Sequence, residues 1–301
     1  MPGSTFACRR SSLIARTARG WYARAYHAPQ RAGSNPMIDA TARVDPAAKV
    51  GDGVSIGPYC IVGPNVVIAE NCTLAAHVHV TGHTSIGPRT VVYPFTSLGT
   101  PPQSVHYHGE PTRLEIGADC DIREGVTMNI GTTARGVTTV GDHCFLMVNS
   151  HVAHDCIVGS NVTFANNAVL GGHCEVADFA FLGGQCAVHQ FTRIGESAMI
   201  GGLSGVVGDI VPFALVRDCP SRIGGVNVVG MKRRGYTRTD MHAVRSAMHM
   251  LFDSASGEFA ARIAKIEEVF ADSEPVGKLI AFVCHSELQS LCPLRLRDRQ
   301  E

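Results

Sequence analysis

From Ile38 to Gly205 the chain repeats every six residues, and that period limits its fold more than any other feature of the sequence. Nearly every hexad opens on an aliphatic residue, most follow it with a small or turn-forming one, and all carry Ser, Thr, Ala, Val or Cys in the fifth place. The second half runs without a gap from VGDHCF at Val140 through LMVNSH, VAHDCI, VGSNVT, FANNAV, LGGHCE, VADFAF, LGGQCA, VHQFTR and IGESAM to IGGLSG. The first half runs as cleanly from IDATAR at Ile38 through VGDGVS, IGPYCI and their successors to Leu98. A unit of six holds one short strand and one corner, and cannot bury its apolar side chain until neighbours stack on it. The repeat therefore predicts a parallel β-helix. Three hexads would close a coil of about 18 residues, and roughly nine coils at about 4.8 Å would build a column on the order of 43 Å long.

The composition follows from that shape. Aromatic residues make up 6% of the chain and there are 32 glycines. A narrow prism admits one aliphatic side chain per hexad, and its corners call for small or positive-φ residues. Of the 11 cysteines, Cys60, Cys72, Cys120, Cys144, Cys156, Cys174 and Cys186 all fall in the fifth place, which reads as small inward filler. Neither a disulfide framework nor close zinc-ligand spacing appears, which favours a reducing compartment. A net charge of zero gives no basic excess for nucleic acid. No apolar run approaches the roughly 18 residues of a membrane span.

The chain divides into four parts. Residues 1–36 contain Arg9, Arg10, Arg16, Arg19, Arg24 and Arg31 and no acidic residue, in the manner of a mitochondrial transit peptide. Native, they would direct the protein to the mitochondrial matrix; with Met37 as the true start, a cytoplasmic bacterial protein is expected. The hexads occupy 37–211 and a connecting segment 212–235. The spacing of Met241, Val244, Met248 and Leu251, and of Phe259, Ile263, Ile266 and Phe270, then predicts helices, with a third opened by Pro275, in a C-terminal domain 236–301. Ser104–Arg113 and Ala134–Thr139 break the register and should leave the prism as loops.

His151, His154, His173 and His189 fall within three coils of the unbroken register. His154 is third in its hexad and should point outward, with Gly172 one coil and Gln190 two coils above it. An outward imidazole beside an approachable glycine N–H suits acyl transfer, which needs a base near neutral pKa and a donor for the developing oxyanion. Taken singly, each histidine reads as an exposed polar residue on a β-helix face, but four within three coils favour a site for the group.

The stretches HGEPTR, HVAHDC, FANNAVLGGH, AVHQF and GVNVVGMKRRG make the chain resemble the UDP-N-acetylglucosamine O-acyltransferase family, the first enzymes of lipid A biosynthesis, over Met37 to about Leu291. The resemblance implies a left-handed prism and a homotrimer with sites between neighbouring prisms. It also implies transfer of a 3-hydroxyacyl chain from acyl carrier protein to the sugar 3-hydroxyl. The donor would be a phosphopantetheine thioester, with no resident cofactor or metal. It casts His154 as general base, Asp155 as its orienting carboxylate and the Gly172 N–H as oxyanion donor. His151, His173, His189, Gln190, Gln103, Asn227, Arg233 and Arg234 would lie near the sugar nucleotide or thioester, and Gly202 would limit the acyl groove. Ser104 and His106 stand where family members commonly carry Asp and Lys, Asn129 where some carry His, and VRDCPSRIGG departs from the usual segment before Asn227. These differences bear on the acceptor sugar. A γ-type zinc carbonic anhydrase shares the prism, trimer and cleft histidines and is the rival reading. The N-acyltransferase of the same pathway generally carries an extra N-terminal domain, and a purely structural role is a third alternative.

A residue without a side chain at Gly202 leaves the groove deep, which predicts preference for myristoyl-class 3-hydroxyacyl donors. Gly202→Met should shift that preference to shorter chains in competition assays, and unchanged selectivity would remove Gly202 from the groove.

Overall fold

The computed structural model describes residues 36–285 and 290–294, so the Arg-rich N-terminal extension, Pro36 apart, lies outside the described residues. Strands of two to four residues, from Met37–Ile38 to Gly205–Val206, succeed one another at corners and pair with every third strand along the chain. Three parallel sheets result, and they form the sides of a left-handed β-helix. The first holds Met37–Ile38 at one end, the second runs through nine strands from Arg43–Val44 to Gly205–Val206, and the third runs through eight. Partners along a side lie 18 residues apart, as in His151↔Val169 and Val169↔Ala187. The first-place aliphatics, such as Val62, Leu98, Ile122, Leu146, Leu170 and Ile200, point inward and are at most 2% exposed.

Two expectations about the corners change. The fourth place takes the left-handed backbone, mostly without a glycine: Tyr59, His77, Phe95, Asn149, Asp155, His173, Phe191 and Leu203 all have φ near +60°, beside Gly53 and Gly125. Glycine instead gathers in the second place because the next coil comes too close for a side chain. A Cβ on Gly141 would sit 2.7 Å from the Gly159 carbonyl carbon, and one on Gly183 2.5 Å from the Gly202 nitrogen. The fifth-place cysteines also do more than fill. Cys72 Sγ donates to the Gly87 carbonyl at 3.1 Å, Cys144 to Gly159 at 3.1 Å and Cys174 to His189 at 3.2 Å, each a corner carbonyl of the next coil. Thr90 and Thr96 serve the Gly117 and Arg123 carbonyls in the same way at 2.9 Å. Not every fifth place does this: the hydroxyls of Ser150, Thr192 and Ser204 find no partner among the described residues.

Both loops leave the prism at one corner, where the chain passes from the second sheet to the third. One joins Ser97–Thr100 to Arg113–Ile116 and the other joins Thr127–Asn129 to Val137–Val140. The second loop therefore ends before Val137, earlier than the sequence suggested, and Thr138 is back in the prism. Partner separation rises to 30 residues across the first loop (His83↔Arg113) and 24 across the second (Arg113↔Val137). These are insertions of whole hexads, so every later residue keeps its corner.

Beyond the coils, Ala214–Arg217 and Arg222–Val226 form an antiparallel hairpin where the sequence read as irregular. Helices follow at Val228–Arg233 (α1), Arg238–Phe252 (α2), Phe259–Val269 (α3) and Glu274–Cys284 (α4). A capping box of Thr237 and Asp240 starts α2, which buries Met241, Val244, Met248 and Leu251. Arg193 ties this unit to the prism, pairing with Asp209 at 2.9 Å and donating to the Phe282 and His285 carbonyls near the end of α4. No helix among the described residues is long and apolar enough to cross a membrane.

Removing a fifth-place donor strands a buried carbonyl, which costs about 1–3 kcal/mol, whereas a threonine can restore the bond. Cys72→Ala should therefore unfold at clearly lower temperature than Cys72→Thr in thermal denaturation. Equal losses would mean that the thiol acts by volume alone.

Candidate active site

The corner between the second and third sheets carries a compact polar cluster, built where three successive coils superpose. The third places supply His154, Gly172 and Gln190; the fourth places supply Asp155, His173 and Phe191. His154 Nδ1 meets Asp155 Oδ2 at 2.8 Å. Asp155 is fully buried and held from the loop side, with Thr132 donating its N–H to Oδ1 at 2.9 Å and its hydroxyl to Oδ2 at 2.7 Å. The Asp155 N–H donates to Thr138 Oγ1 at 2.8 Å. Burial resists ionisation of Asp155, but the Thr132 hydroxyl, the His154 ring and the Thr132 N–H together hold its carboxyl below the usual carboxylate range. An ionised carboxylate only accepts, so the proton between them belongs to His154 Nδ1, and it is in the neutral form of the ring that Nε2 carries the lone pair.

The imidazole lies against Gly172. A Cβ there would come within 2.6 Å of His154 Cε1 and 2.8 Å of Nε2, so only glycine lets the imidazole keep its place. Gly172 is buried, and its N–H donates to no described residue. His173 meets His154 edge-on at 5.0 Å between ring centres and stacks on Phe191 at 4.5 Å, with Nε2 3.7 Å from Asp155 Oδ2. One coil below, His151 Nδ1 is 2.7 Å from Thr127 Oγ1. Burial lowers the pKa of both His151 and His173, with the nearby His154 adding to it. His189 and Gln190 are exposed at the upper end of the row, His189 Nδ1 lying 3.1 Å from the Gln190 carbonyl.

The ligand atoms of His154, Asp155 and His173 lie within 4.8 Å of one another, a spacing that could hold a metal ion. The fit is poor. Both Asp155 oxygens already accept hydrogen bonds, and one of them holds the His154 ring nitrogen nearest to the carboxylate. A zinc-lyase site would need these ligands free to converge on one cation.

The remaining candidates sit elsewhere. Gln103 lies exposed in the first loop, which leaves from the histidine corner. Asn129, buried just below, donates its amide to Thr100 Oγ1 and the Pro101 carbonyl and so anchors that loop. Gly202 lies at the corner between the first and second sheets. Asn227 caps α1 through Gly230 and donates to the Ser197 carbonyl at 2.9 Å, at the corner between the third and first sheets. There Arg234 lies 3.0 Å over the Phe179 ring and 3.6 Å from Glu196, with its Nη1 buried and without a hydrogen bond to any described residue. Arg233 is exposed beside it, and the two close α1. One chain thus gathers seven of the predicted residues at one corner and leaves Gly202, Asn227, Arg233 and Arg234 on the other two. The sequence reading missed Thr127, Thr132, Thr138 and Phe191. Three of these lie on the coil register, but Thr132 reaches Asp155 only because the loop folds back.

Corner-built polar sites of this kind, on stacked hexads, define a hexapeptide-repeat transferase. A family profile described as bacterial transferase hexapeptide (six repeats) matches residues 47–82 and 138–172. A second, described as UDP-N-acetylglucosamine O-acyltransferase domain 2, matches 209–292. The chain is 56% identical to the acyl-[acyl-carrier-protein]–UDP-N-acetylglucosamine O-acyltransferase of Azorhizobium caulinodans over 205 residues, 68% of this chain and 75% of that one. It is 47% identical to the Rhizobium etli protein of the same name over 195 residues, 64% and 71% of the two chains. Among solved structures, LpxA of Acinetobacter baumannii superposes with a TM-score of 0.82 at 36% identity, covering 85% of this chain and 99% of that one. The UDP-N-acetylglucosamine acyltransferase of Arabidopsis does so at 0.75 and 28% identity, over 85% of this chain and all of its own. The chain belongs to the UDP-N-acetylglucosamine O-acyltransferase family.

The lowered pKa values have a sign that can be tested. A histidine that resists protonation when folded contributes its full stability above about pH 6.5, the unfolded value, and loses it as pH falls through the lower folded value. The thermal midpoint should fall between pH 7.5 and 5, and His151→Gln should flatten part of that fall. Identical slopes for both proteins would contradict the buried, neutral His151.

Proposed function

We infer that the protein transfers a 3-hydroxyacyl chain from acyl carrier protein to the 3-hydroxyl of UDP-N-acetylglucosamine, the first step of lipid A biosynthesis. The observation that carries this reading is the His154–Asp155 pair with its imidazole lying against Gly172. His154 Nε2 takes the proton of the sugar hydroxyl as its oxygen forms a bond to the thioester carbonyl carbon. The carbonyl electron pair moves onto oxygen, where the Gly172 N–H meets it. Collapse breaks the C–S bond, and the departing phosphopantetheine thiolate takes the proton back from His154. Asp155, kept ionised by Thr132, stabilises the imidazolium between the two transfers.

The working unit in this reading is a homotrimer. Its support is the corner between the first and second sheets, where Tyr59, His77 and Phe95 stack at 5.1 Å and Tyr59, Phe95 and Leu203 are 59%, 68% and 70% exposed. The exposed Tyr59–His77–Phe95 stack supports a surface that another chain covers. Gly202 lies farther along the same corner, past the polar fourth-place residues Asn149, Asn167 and Gln185, and the unpaired Arg234 Nη1 supports a diphosphate site at the third corner. Acyl carrier protein is the donor partner, and no nucleic acid is involved.

Mass spectrometry should detect a 3-O-acylated sugar nucleotide from UDP-N-acetylglucosamine and 3-hydroxyacyl carrier protein, in turnover that a chelator leaves unchanged. His154→Ala should lower kcat by about 10²–10⁴-fold with little change in KM for the sugar nucleotide. Near-normal turnover by a folded His154→Ala protein would overturn the base assignment.

A further inference from the structure

We propose that Cys156, buried directly beneath the site, is a positioning residue that sets the direction of the Gly172 N–H. The proposal rests on the acyl-transfer reading above, in which that N–H meets the oxyanion.

The Gly171–Gly172 peptide has a carbonyl on one side and the candidate donor N–H on the other. Cys156 Sγ donates to the Gly171 carbonyl at 3.2 Å. The stacked Cys174 has its own carbonyl, that of His189, at 3.2 Å, so the two thiols do not compete for an acceptor. Cys156 is fully buried, and burial beside Cys174 keeps its thiol protonated and able to donate. The flanking peptides are held, with the Gly171 N–H donating to the Val188 carbonyl and the Phe191 N–H to the Gly172 carbonyl, but neither glycine has a Cβ to resist a tilt of the peptide between them. The thiol contact removes that freedom from inside the prism. A donor on the carbonyl also polarises the amide, which strengthens the opposite N–H as a donor.

Another corner supplies the contrast. Cys144 makes the same bond to the Gly159 carbonyl at 3.1 Å, but the N–H of that peptide, on Ser160, is consumed by Asp178 Oδ1 at 2.8 Å. The Gly141–Asp142 peptide is held likewise, by Cys120 on the carbonyl and by Ser160 Oγ on the N–H. Those peptides are fixed from both sides and have nothing to offer a ligand. At Gly171–Gly172 only the inner side is tied. The outer N–H has no described partner, and it belongs to the residue whose Cβ position lies against the His154 ring.

The test compares Cys156→Ala, Cys156→Thr and Cys144→Ala by steady-state kinetics and thermal denaturation of the full chain. Loss of one oxyanion donor costs about 10²–10³ in kcat, and a donor left in place but free to tilt should cost less. Cys156→Ala should lower kcat about tenfold with KM for the sugar nucleotide unchanged. Cys156→Thr should restore it, since Thr90 and Thr96 reach the equivalent carbonyls. Cys144→Ala, which removes a matched bond away from the site, should lose comparable thermal stability and keep its kcat. Should Cys156→Ala turn over like Cys144→Ala while His154→Ala is inactive, the proposal fails and the acyl-transfer reading stands. An active His154→Ala protein fails that reading instead. If Cys156→Ala does not fold, Cys156→Val measured beside Cys144→Val carries the same comparison, and equal kcat in the two overturns the proposal.

Discussion

Every coil of this protein rests on the one before it through parallel backbone hydrogen bonds, and the rest of the structure depends on that stacking. Because the interior takes one aliphatic residue per hexad, a residue cannot slip by one place without turning a core side chain outward. A side chain in the third place is therefore repeated, at one strand spacing, 18 residues later. This is how His154, Gly172 and Gln190 come to form one line without any long-range packing decision of their own. The close contact has a cost, visible in the second-place glycines and in the many non-glycine residues held at positive φ. The fifth-place thiols and hydroxyls offset part of it by satisfying corner carbonyls from within.

Three corners built on one scheme serve different ends. At the corner between the third and first sheets, Asp119 and Arg89 pair, and Asp142, Ser160 and Asp178 consume the turn N–H groups, so the backbone is closed to ligands. Between the first and second sheets the fourth places carry an exposed aromatic stack. Between the second and third they carry Asp155, His173 and Phe191, and both insertions leave from the same corner. Insertions of whole hexads let the loops grow without disturbing the coils above. The second loop brings Thr132 back onto Asp155, and the buried carboxylate owes its ionised state largely to that return.

Much of this is readable in the sequence because the period converts residue number into position. The inward cysteines, the line through His154 and Gly172, and the outward projection of both loops follow from counting. The count fails where the register breaks. Thr132 lies in a loop, so its contact with Asp155 depends on a chain path that no period describes. The sequence places the end of that loop too late because Thr138, already back in the fifth place, follows a stretch with no hexad marks. Two physical points are also out of reach of the pattern. Glycine in the second place signals crowding by the next coil, not a left-handed backbone, and cysteine in the fifth place is a hydrogen-bond donor as well as filler.

A single chain holds His154, Asp155 and Gly172 at one corner, and holds Arg233, Arg234 and Asn227 at another. In the trimer inferred for this protein, those groups meet only when chains assemble, so each site draws its base and its arginines from different chains. Mixing two inactive variants, His154→Ala and Arg233→Ala, by unfolding and refolding them together tests this directly. Random assembly should place an intact base beside an intact arginine in about a quarter of the sites, and turnover should recover to about that fraction of the wild-type rate. A mixture no more active than its separate components would show that base and arginine act within one chain, and would contradict a site shared between chains.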